Sequence, residues 1–468
     1  MIELTAAQIA EATGGRLHAD ADVRVTGRVV VDSRLVEPGS LFVALPGEHV
    51  DGHDYAAGAV GAGAALVLAA RPLDGLPCVV VDDVQGALGE LARAVLARVR
   101  AAGELRVVAV TGSVGKTTTK DLLGQLLGPE GETVVPAGSF NNEVGLPLTV
   151  LRVTPSTRFL VLEMGADHVG NIAYLTRIAP PDVGIVLAVG TAHVGEFGGV
   201  EAIARTKAEM VTGVVPGGTA VLNADDLRVA AMAANAREAE VVRFGTISAV
   251  DVRAADVTTD ATGRASFELR AGGSSAPVRL RLVGEHHVTN ALAAATAALR
   301  LGLPLDVVAE RLSAAAAVSP HRMAVTERPD GVTIIDDAYN ANPDSMKAAL
   351  RALAVMAGRT RRSVAVLGEM RELGDDARAA HDAIGRLVVR LNVKLLVVVG
   401  DGAYHIHEGA LQEGSWGEES LFVPDLDTAR TVLAHALRPG DVVLVKASNG
   451  SGLWRLGDEL AAGTEVAS

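Results

Sequence analysis

One segment leaves its surroundings little freedom in how they fold. Val107-Val-Ala-Val-Thr-Gly-Ser-Val-Gly-Lys-Thr-Thr-Thr119 is a β-branched apolar run, then a glycine turn, then Gly115-Lys116-Thr117 opening a helical stretch. A strand that feeds a helix through a glycine loop belongs in a βαβ unit of a parallel sheet. Backbone N–H groups at such a helix start form an anion nest. Gly112, Ser113, Val114, Gly115, Lys116, Thr117 and Thr118 are therefore candidate phosphate ligands. Lys116 can reach terminal phosphates, and the Thr117 hydroxyl is a candidate Mg2+ ligand. The match to the standard phosphate loop is incomplete, because Val110 stands where its first glycine belongs. A tight turn with a surface lysine is the plain alternative. The combination of strand, Gly-Lys-Thr and helix outweighs it.

The rest of the chain keeps the same rhythm. Apolar runs at Val23–Val31, Phe159–Leu162, Val183–Val189, Thr219–Leu222, Val332–Ile335, Val364–Leu367, Leu395–Val399 and Val442–Val445 predict strands. Amphipathic stretches such as Ala87–Val99, Thr117–Leu127, Val200–Met210, Met346–Met356 and Ala377–Val389 predict helices between them. The expected class is α/β with parallel sheets. Asp251 to Val283 breaks the rhythm with period-2 patterning around DATGR and AGGSS, which predicts antiparallel hairpins attached to a larger sheet. Breaks at Ala101–Leu105 and at Val318–His321, where proline interrupts an alanine-rich helix, divide the chain into residues 1–103, 104–320 and 321–468. Three units suit a chain of this length at about 150 residues per domain.

Charge narrows the partners. The 56 acidic residues outnumber the 42 basic ones, a net charge of −14. That argues against nonspecific binding to nucleic acid or anionic membrane, which needs clustered positive charge. It leaves room for a polyanionic nucleotide held by a few local donors. The single cysteine, Cys78, permits no disulfide framework and sits in an apolar run as a core residue. The segment MIELTAAQIAEATGG lacks the basic region of a signal peptide. Tyr55 to Ala70 is too short to span a bilayer. The expectation is a soluble cytoplasmic protein, monomeric, without nucleic-acid or membrane partners.

A mononucleotide site draws further ligands from the carboxyl ends of neighbouring strands. Glu163 ends the run FLVLE, and His193 follows VGIVLAVG. Oxygen and imidazole ligands beside a phosphate cradle suit a second divalent ion. A lone histidine after a strand is more often structural, but three loops agree here. Ser33 and Arg34 leave a strand together and could bind a diphosphate; from spacing alone an ordinary polar turn explains them better. Asn340, Asn342 and Pro343 fit turn and helix-cap chemistry. Capping does not explain Asp336, Asp337 and Tyr339 gathered at a strand end.

Taken in order, the segments resemble the Mur ligase family over essentially the whole chain. They are DSR, GSLFVAL, DGH, TGSVGKTTTK, SFNNEVGLPLT, LEMGADHVGNI, GTAHVGEFGGVEAIARTKAEM, LNADD, GEHHVTNALAAA, HRM, DDAYNANPDSM, AVLGEMRELG and DVVLVKAS. FNNEVGLP and DDAYNANPDSM are the most specific. They point to the type that joins D-alanyl-D-alanine to UDP-N-acetylmuramoyl-tripeptide in peptidoglycan precursor synthesis. The resemblance implies an amino-terminal UDP-sugar domain, a central ATPase domain and a Rossmann-like carboxyl-terminal domain that brings the amine. It implies ATP and two Mg2+ ions. Thr117 would hold one ion, with Glu163 and His193 supporting the second. Lys207, in RTKAEM, matches a lysine that relatives carry as a carbamate, whereas the residues alone read as a solvated helix lysine. Asn290 would face the nucleotide, Arg322 the γ-phosphate, and Asp337 the ribose and the hinge. Ser33 and Arg34 would lie near the UDP. Asn141 and Asn142 would line the peptide, with Tyr339, Asn340 and Asn342 also at the substrate.

The implied chemistry activates the tripeptide carboxylate as an acyl phosphate, which the amine of D-alanyl-D-alanine then attacks. Val114 departs from the family loop, His287 stands where asparagine is common, and KASNGSGLW departs from the usual ending. Lys446 therefore carries no role over. A folylpolyglutamate-synthase-like ligase and a regulatory protein with a vestigial site are the competing readings.

Overall fold

A computed structural model describes residues 1–468 except 48–49, 137, 191–193, 415–418 and 464–468. Three α/β layers follow one another along the chain, each built on its own sheet. The first has five strands in the order Arg16–His18, Cys78–Val80, Leu66–Ala69, Leu41–Val43, Val29–Val30. All its pairings are parallel except that of Arg16–His18. Cys78 is fully buried in its core, as its apolar neighbours predict.

The central sheet has nine strands. Arg106–Thr111 lies between Phe159–Glu163 on one side and Val183–Val186 on the other, all parallel. Alternate residues serve opposite faces: Val107 and Ala109 join one core, Val108 and Val110 the other. A strand buried on both faces must be apolar throughout, which is why this run has no alternation. The chain leaves Arg106–Thr111 in both directions, so its carboxyl end is a topological switch point where a crevice opens. Helix Val84–Ala102 packs against both the first sheet and the central one.

Beyond Glu240–Gly245 the sheet turns antiparallel. Val252–Thr259, Arg264–Ala271 and Ser274–Val283 form a meander. The last turn is Gly272-Gly273, with φ of +56° and +80°. Positive φ at both central residues is what a two-residue hairpin demands. The third sheet runs Ala324–Glu327, Thr333–Asp336, Val442–Lys446, Ser363–Leu367, Leu395–Val399, Ser420–Val423 and is parallel but for its first strand.

Three element expectations need correction. Val23–Val31 is two short strands, Arg24–Val25 and Val29–Val30, because Gly27 packs against the backbone of Gly39 and Ser40. Val183–Val189 stops being strand at Val186; its continuation turns to the phosphate loop, where Ser113 N donates to the Ala188 carbonyl at 2.9 Å. The alanine-rich helix Leu305–Ala314 ends before Pro320 rather than at it. Among the described residues no helix is long and apolar enough to cross a membrane.

Candidate active site

At the switch point a cavity of about 570 Å³ opens between the central and third sheets. Its floor is the phosphate loop. Helix Lys116–Leu127 starts at Gly115, whose φ is +83° and which no side chain caps. Uncapped first-turn N–H groups make a ready anion site. A Cβ on Gly115 would lie 2.2 Å from Asn290 Oδ1, so both conformation and space require glycine. Lys116 curls back to donate to the Gly112 carbonyl at 2.8 Å. Its burial lowers its pKa, an effect that Glu163 opposes and Arg322 reinforces.

Oxygen ligands converge beside the loop. Thr117 Oγ1 lies 3.0 Å from Glu163 Oε2 and 3.2 Å from Ser139 Oγ. Asn141 Nδ2 holds the other Glu163 oxygen at 2.8 Å. A hydroxyl and a buried carboxylate this close are hard donors suited to Mg2+. Lys207 lines the same cavity from helix Val200–Gly213. Burial first, and Lys116 second, lower its pKa to about 7. The solvated helix lysine is thus replaced by a buried amine. His193 lies outside the described residues.

Helix His287–Arg300 supplies the wall above the loop. Asn290 Nδ2 and His287 Nδ1 are 3.2 Å apart. Burial pushes the pKa of His286 and His287 down, favouring neutral rings. From the third unit, Arg322 reaches across to donate through Nη2 to Thr117 Oγ1 at 3.1 Å and to Ser139 Oγ at 3.2 Å. Its guanidinium carbon lies 4.1 Å from the centre of the Tyr339 ring. Asp337, Asn340 and Asn342 border the cavity too. Asn342 is also the N-cap of helix Pro343–Ala357, accepting from Ser345 N at 2.9 Å. Asn142 reaches the rim and accepts from Gly145 N at 2.8 Å.

Ser33 and Arg34 are not in this cavity. They form a short 3-10 turn of the first unit capped by Asp32, which pairs with Arg34 at 2.6 Å. Three residues near the site received no role from the sequence. Ser139 opens the quoted SFNNEVGLPLT segment. Lys120 is fully buried and donates to the carbonyls of Pro136 and Gly138 at 3.0 and 3.2 Å, pinning the loop that carries Ser139 and Asn141. Lys446 is buried and bonds Asp337 Oδ2 at 2.6 Å. A lysine in an otherwise apolar strand end, VVLVK, was the available signal for the last.

The chain matches the family model "Mur ligase family, catalytic domain" over residues 27–99. The "Mur ligase middle domain" model matches residues 110–298, and "Mur ligase, glutamate ligase domain" matches 321–449. It is 53% identical to the UDP-N-acetylmuramoyl-tripeptide–D-alanyl-D-alanine ligase of Mycobacterium tuberculosis across 99% of this chain and 98% of that one. The Escherichia coli ligase of the same name is 36% identical across 87% and 88%. The crystal structure of MurF from Acinetobacter baumannii superposes with a TM-score of 0.88 at 33% identity, covering 98% of this chain and 99% of that one. The MurF ligase of Thermotoga maritima in complex with ADP gives 0.78 at 30%, covering 94% and 98%. With the switch-point cavity and full-length identity in agreement, the chain belongs to the Mur ligase family.

Proposed function

We propose that this chain is the ATP-dependent ligase that joins D-alanyl-D-alanine to UDP-N-acetylmuramoyl-tripeptide, releasing ADP and phosphate. The observation that carries the reading is a single cavity lined both by a phosphate loop and by the segments Asn141–Asn142 and Tyr339–Asn342. A phosphoryl donor, a carboxylate and an amine can meet there. Full-length identity to ligases named for this reaction supports the choice of substrates.

In this reading residues 1–103 hold the UDP-sugar through Ser33 and Arg34, 104–320 bind ATP, and 321–468 bring the amine. A tripeptide carboxylate oxygen attacks the γ-phosphorus, the bond to the β-phosphate oxygen breaks, and ADP leaves. The dipeptide's neutral amine attacks the acyl carbon, the carbon–oxygen bond breaks, and phosphate leaves with that oxygen. The amine's surplus proton goes to solvent. Gly112 to Thr118 cradle the phosphates. Lys116 and Arg322 neutralise charge on the transferring group, the term that dominates such transfers. Asn290 faces the nucleotide and Asp337 its ribose. Thr117 would hold one Mg2+, with Glu163 and His193, and Lys207 as a carbamate, supporting a second; the ions would supply charge neutralisation to the transferring phosphoryl group. A buried amine with a pKa of about 7 has a substantial neutral fraction at physiological pH, and the neutral form is the one that adds to CO2. The product is a carbamate and one proton, so a neutral amine becomes an anion that could face a metal ion. Domain closure would bring the amine in and exclude water that would otherwise hydrolyse the acyl phosphate. The enzyme works in the cytoplasm, where its nucleotide substrates are made.

Phosphate release with Mg2+-ATP and the UDP-tripeptide, with and without D-alanyl-D-alanine, tests the reaction. The expected result is release that needs both substrates, with the pentapeptide product seen by mass spectrometry. Release with a different amine alone would change the substrate assignment. No release from folded protein would overturn the reading. For Lys207, a carbamate signal in 13C NMR with labelled bicarbonate should vanish in Lys207→Arg.

A further inference from the structure

Arg322 sits in a turn that its own backbone does not favour. His321 and Met323, on either side of it, have φ of +56° and +53°. Non-glycine residues in that region are strained and persist only when their surroundings hold them. Two adjacent carboxylates at the end of strand Thr333–Asp336 supply the hold. Asp336 Oδ2 accepts from His321 Nδ1 at 2.6 Å. Asp337 Oδ1 accepts the Met323 N–H at 3.1 Å. The Tyr339 N–H adds a bond to the His321 carbonyl at 3.3 Å.

Lys446 locks this arrangement from the neighbouring strand Val442–Lys446. Its ammonium donates to Asp337 Oδ2 at 2.6 Å and to the Asn340 carbonyl at 2.7 Å. One buried cation therefore fixes both the carboxylate that grips the turn and the loop whose Tyr339 ring supports the guanidinium. These contacts give a purpose to the paired carboxylates and tyrosine that capping leaves unexplained.

We propose that Lys446 is a positioning residue: through Asp337, and with Asp336 and His321 on the other side of the turn, it holds Arg322 over Thr117. Lys446 itself touches no reacting atom. The inference rests on the reading that Arg322 serves the transferring phosphoryl group.

The test is steady-state ligation by the full chain carrying Lys446→Met, His321→Gly, His321→Asn, Arg322→Ala, and the first two each combined with Arg322→Ala. Arg322→Ala should lower kcat by at least ~100-fold, the scale of losing one charge-stabilising donor. Lys446→Met should lower kcat about 10-fold or more with the KM for the UDP-tripeptide unchanged, and cause no further loss in the Arg322→Ala background. Lys446→Met leaves Asp337 buried without its counter-charge and can fail to fold; His321→Gly then carries the test. Glycine is at ease at positive φ, which offsets part of the lost bond to Asp336, so His321→Gly should lose kcat while remaining folded. His321→Asn keeps a donor at the same place and tolerates that φ, so it should restore kcat. Additive losses in the double variants, or unchanged kcat in Lys446→Met or, where that variant does not fold, in His321→Gly, would overturn the proposal. If Arg322→Ala itself ligates normally, the role given to Arg322 fails first, and this inference falls with it.

Discussion

The phosphate loop and the turn around Arg322 meet at the Thr117 hydroxyl but are built by opposite means. The loop takes its shape from backbone: a buried strand, a glycine at φ +83°, and a helix start left uncapped. Its ligands are main-chain groups of neighbouring residues. The turn takes its shape from side chains far away in sequence: Asp336, Asp337, Tyr339 and Lys446. The first is made of residues contiguous in sequence. The second exists only when the third sheet is in place. A cation whose position depends on the third unit would, on the proposed reading, let phosphoryl transfer proceed only in the assembled cavity.

Substitutions separate the two designs. The largest effect belongs to the loop: Lys116→Ala should lower kcat by at least ~1000-fold. Its melting temperature should change little, because among the described residues the side chain's one hydrogen bond is to the Gly112 carbonyl. Near-normal ligation would remove Lys116 from the mechanism. Gly115→Ala comes next. Its Cβ would meet Asn290 at 2.2 Å, and positive φ adds a further cost of about 1–3 kcal/mol. Isothermal titration should show lost ADP binding, and calorimetry a lower melting temperature.

The turn should answer more gently. Tyr339→Leu removes the ring under Arg322, an interaction of about 0.5–2 kcal/mol. A kcat loss of about 2- to 30-fold follows, with ADP affinity unchanged. Loss of ADP binding instead would mean that Tyr339 serves the nucleotide and not the turn.

Smallest is the response of the amino-terminal unit. The backbone and side-chain hydrogen bonds from His53 lead in holding the Asp51 carboxyl at about 2, below its ordinary 3.8. A depressed carboxylate stabilises the fold above the ordinary value, and that contribution is lost as pH falls toward the folded one. The melting-temperature gap between the parent and Asp51→Asn should therefore be full at pH 7 and close between about pH 4 and 2. A gap independent of pH would show that hydrogen-bond geometry, not charge, is what matters there.

The same contrast explains what could be read from sequence. Val107 to Thr119 is legible because strand, glycine turn and helix are adjacent, and each residue type has a local reason. The meander from Val252 to Val283 is legible because period 2 and paired glycines are local too. Lys446 lies more than a hundred residues from Asp337, and nothing local in VVLVK names its partner. Lys120 reads as one more helix lysine, yet it is buried against the carbonyls of another loop. Val183–Val189 reads as one strand because apolar content does not say where ladder pairing ends. There the pairing stops at Val186, and the backbone turns to meet Ser113. Ser33 and Arg34 show the limit from the other side: Arg34 is exposed, Ser33 is half-buried, neither lines the cavity, and spacing alone gives the pair no site.

The most direct measurement follows oxygen. With the terminal carboxylate of the UDP-tripeptide labelled with 18O, ligation through an acyl phosphate must move one labelled oxygen into the released phosphate. Mass spectrometry of that phosphate should find one 18O per turnover. Unlabelled phosphate alongside full pentapeptide formation would contradict phosphoryl transfer to the carboxylate in this cavity.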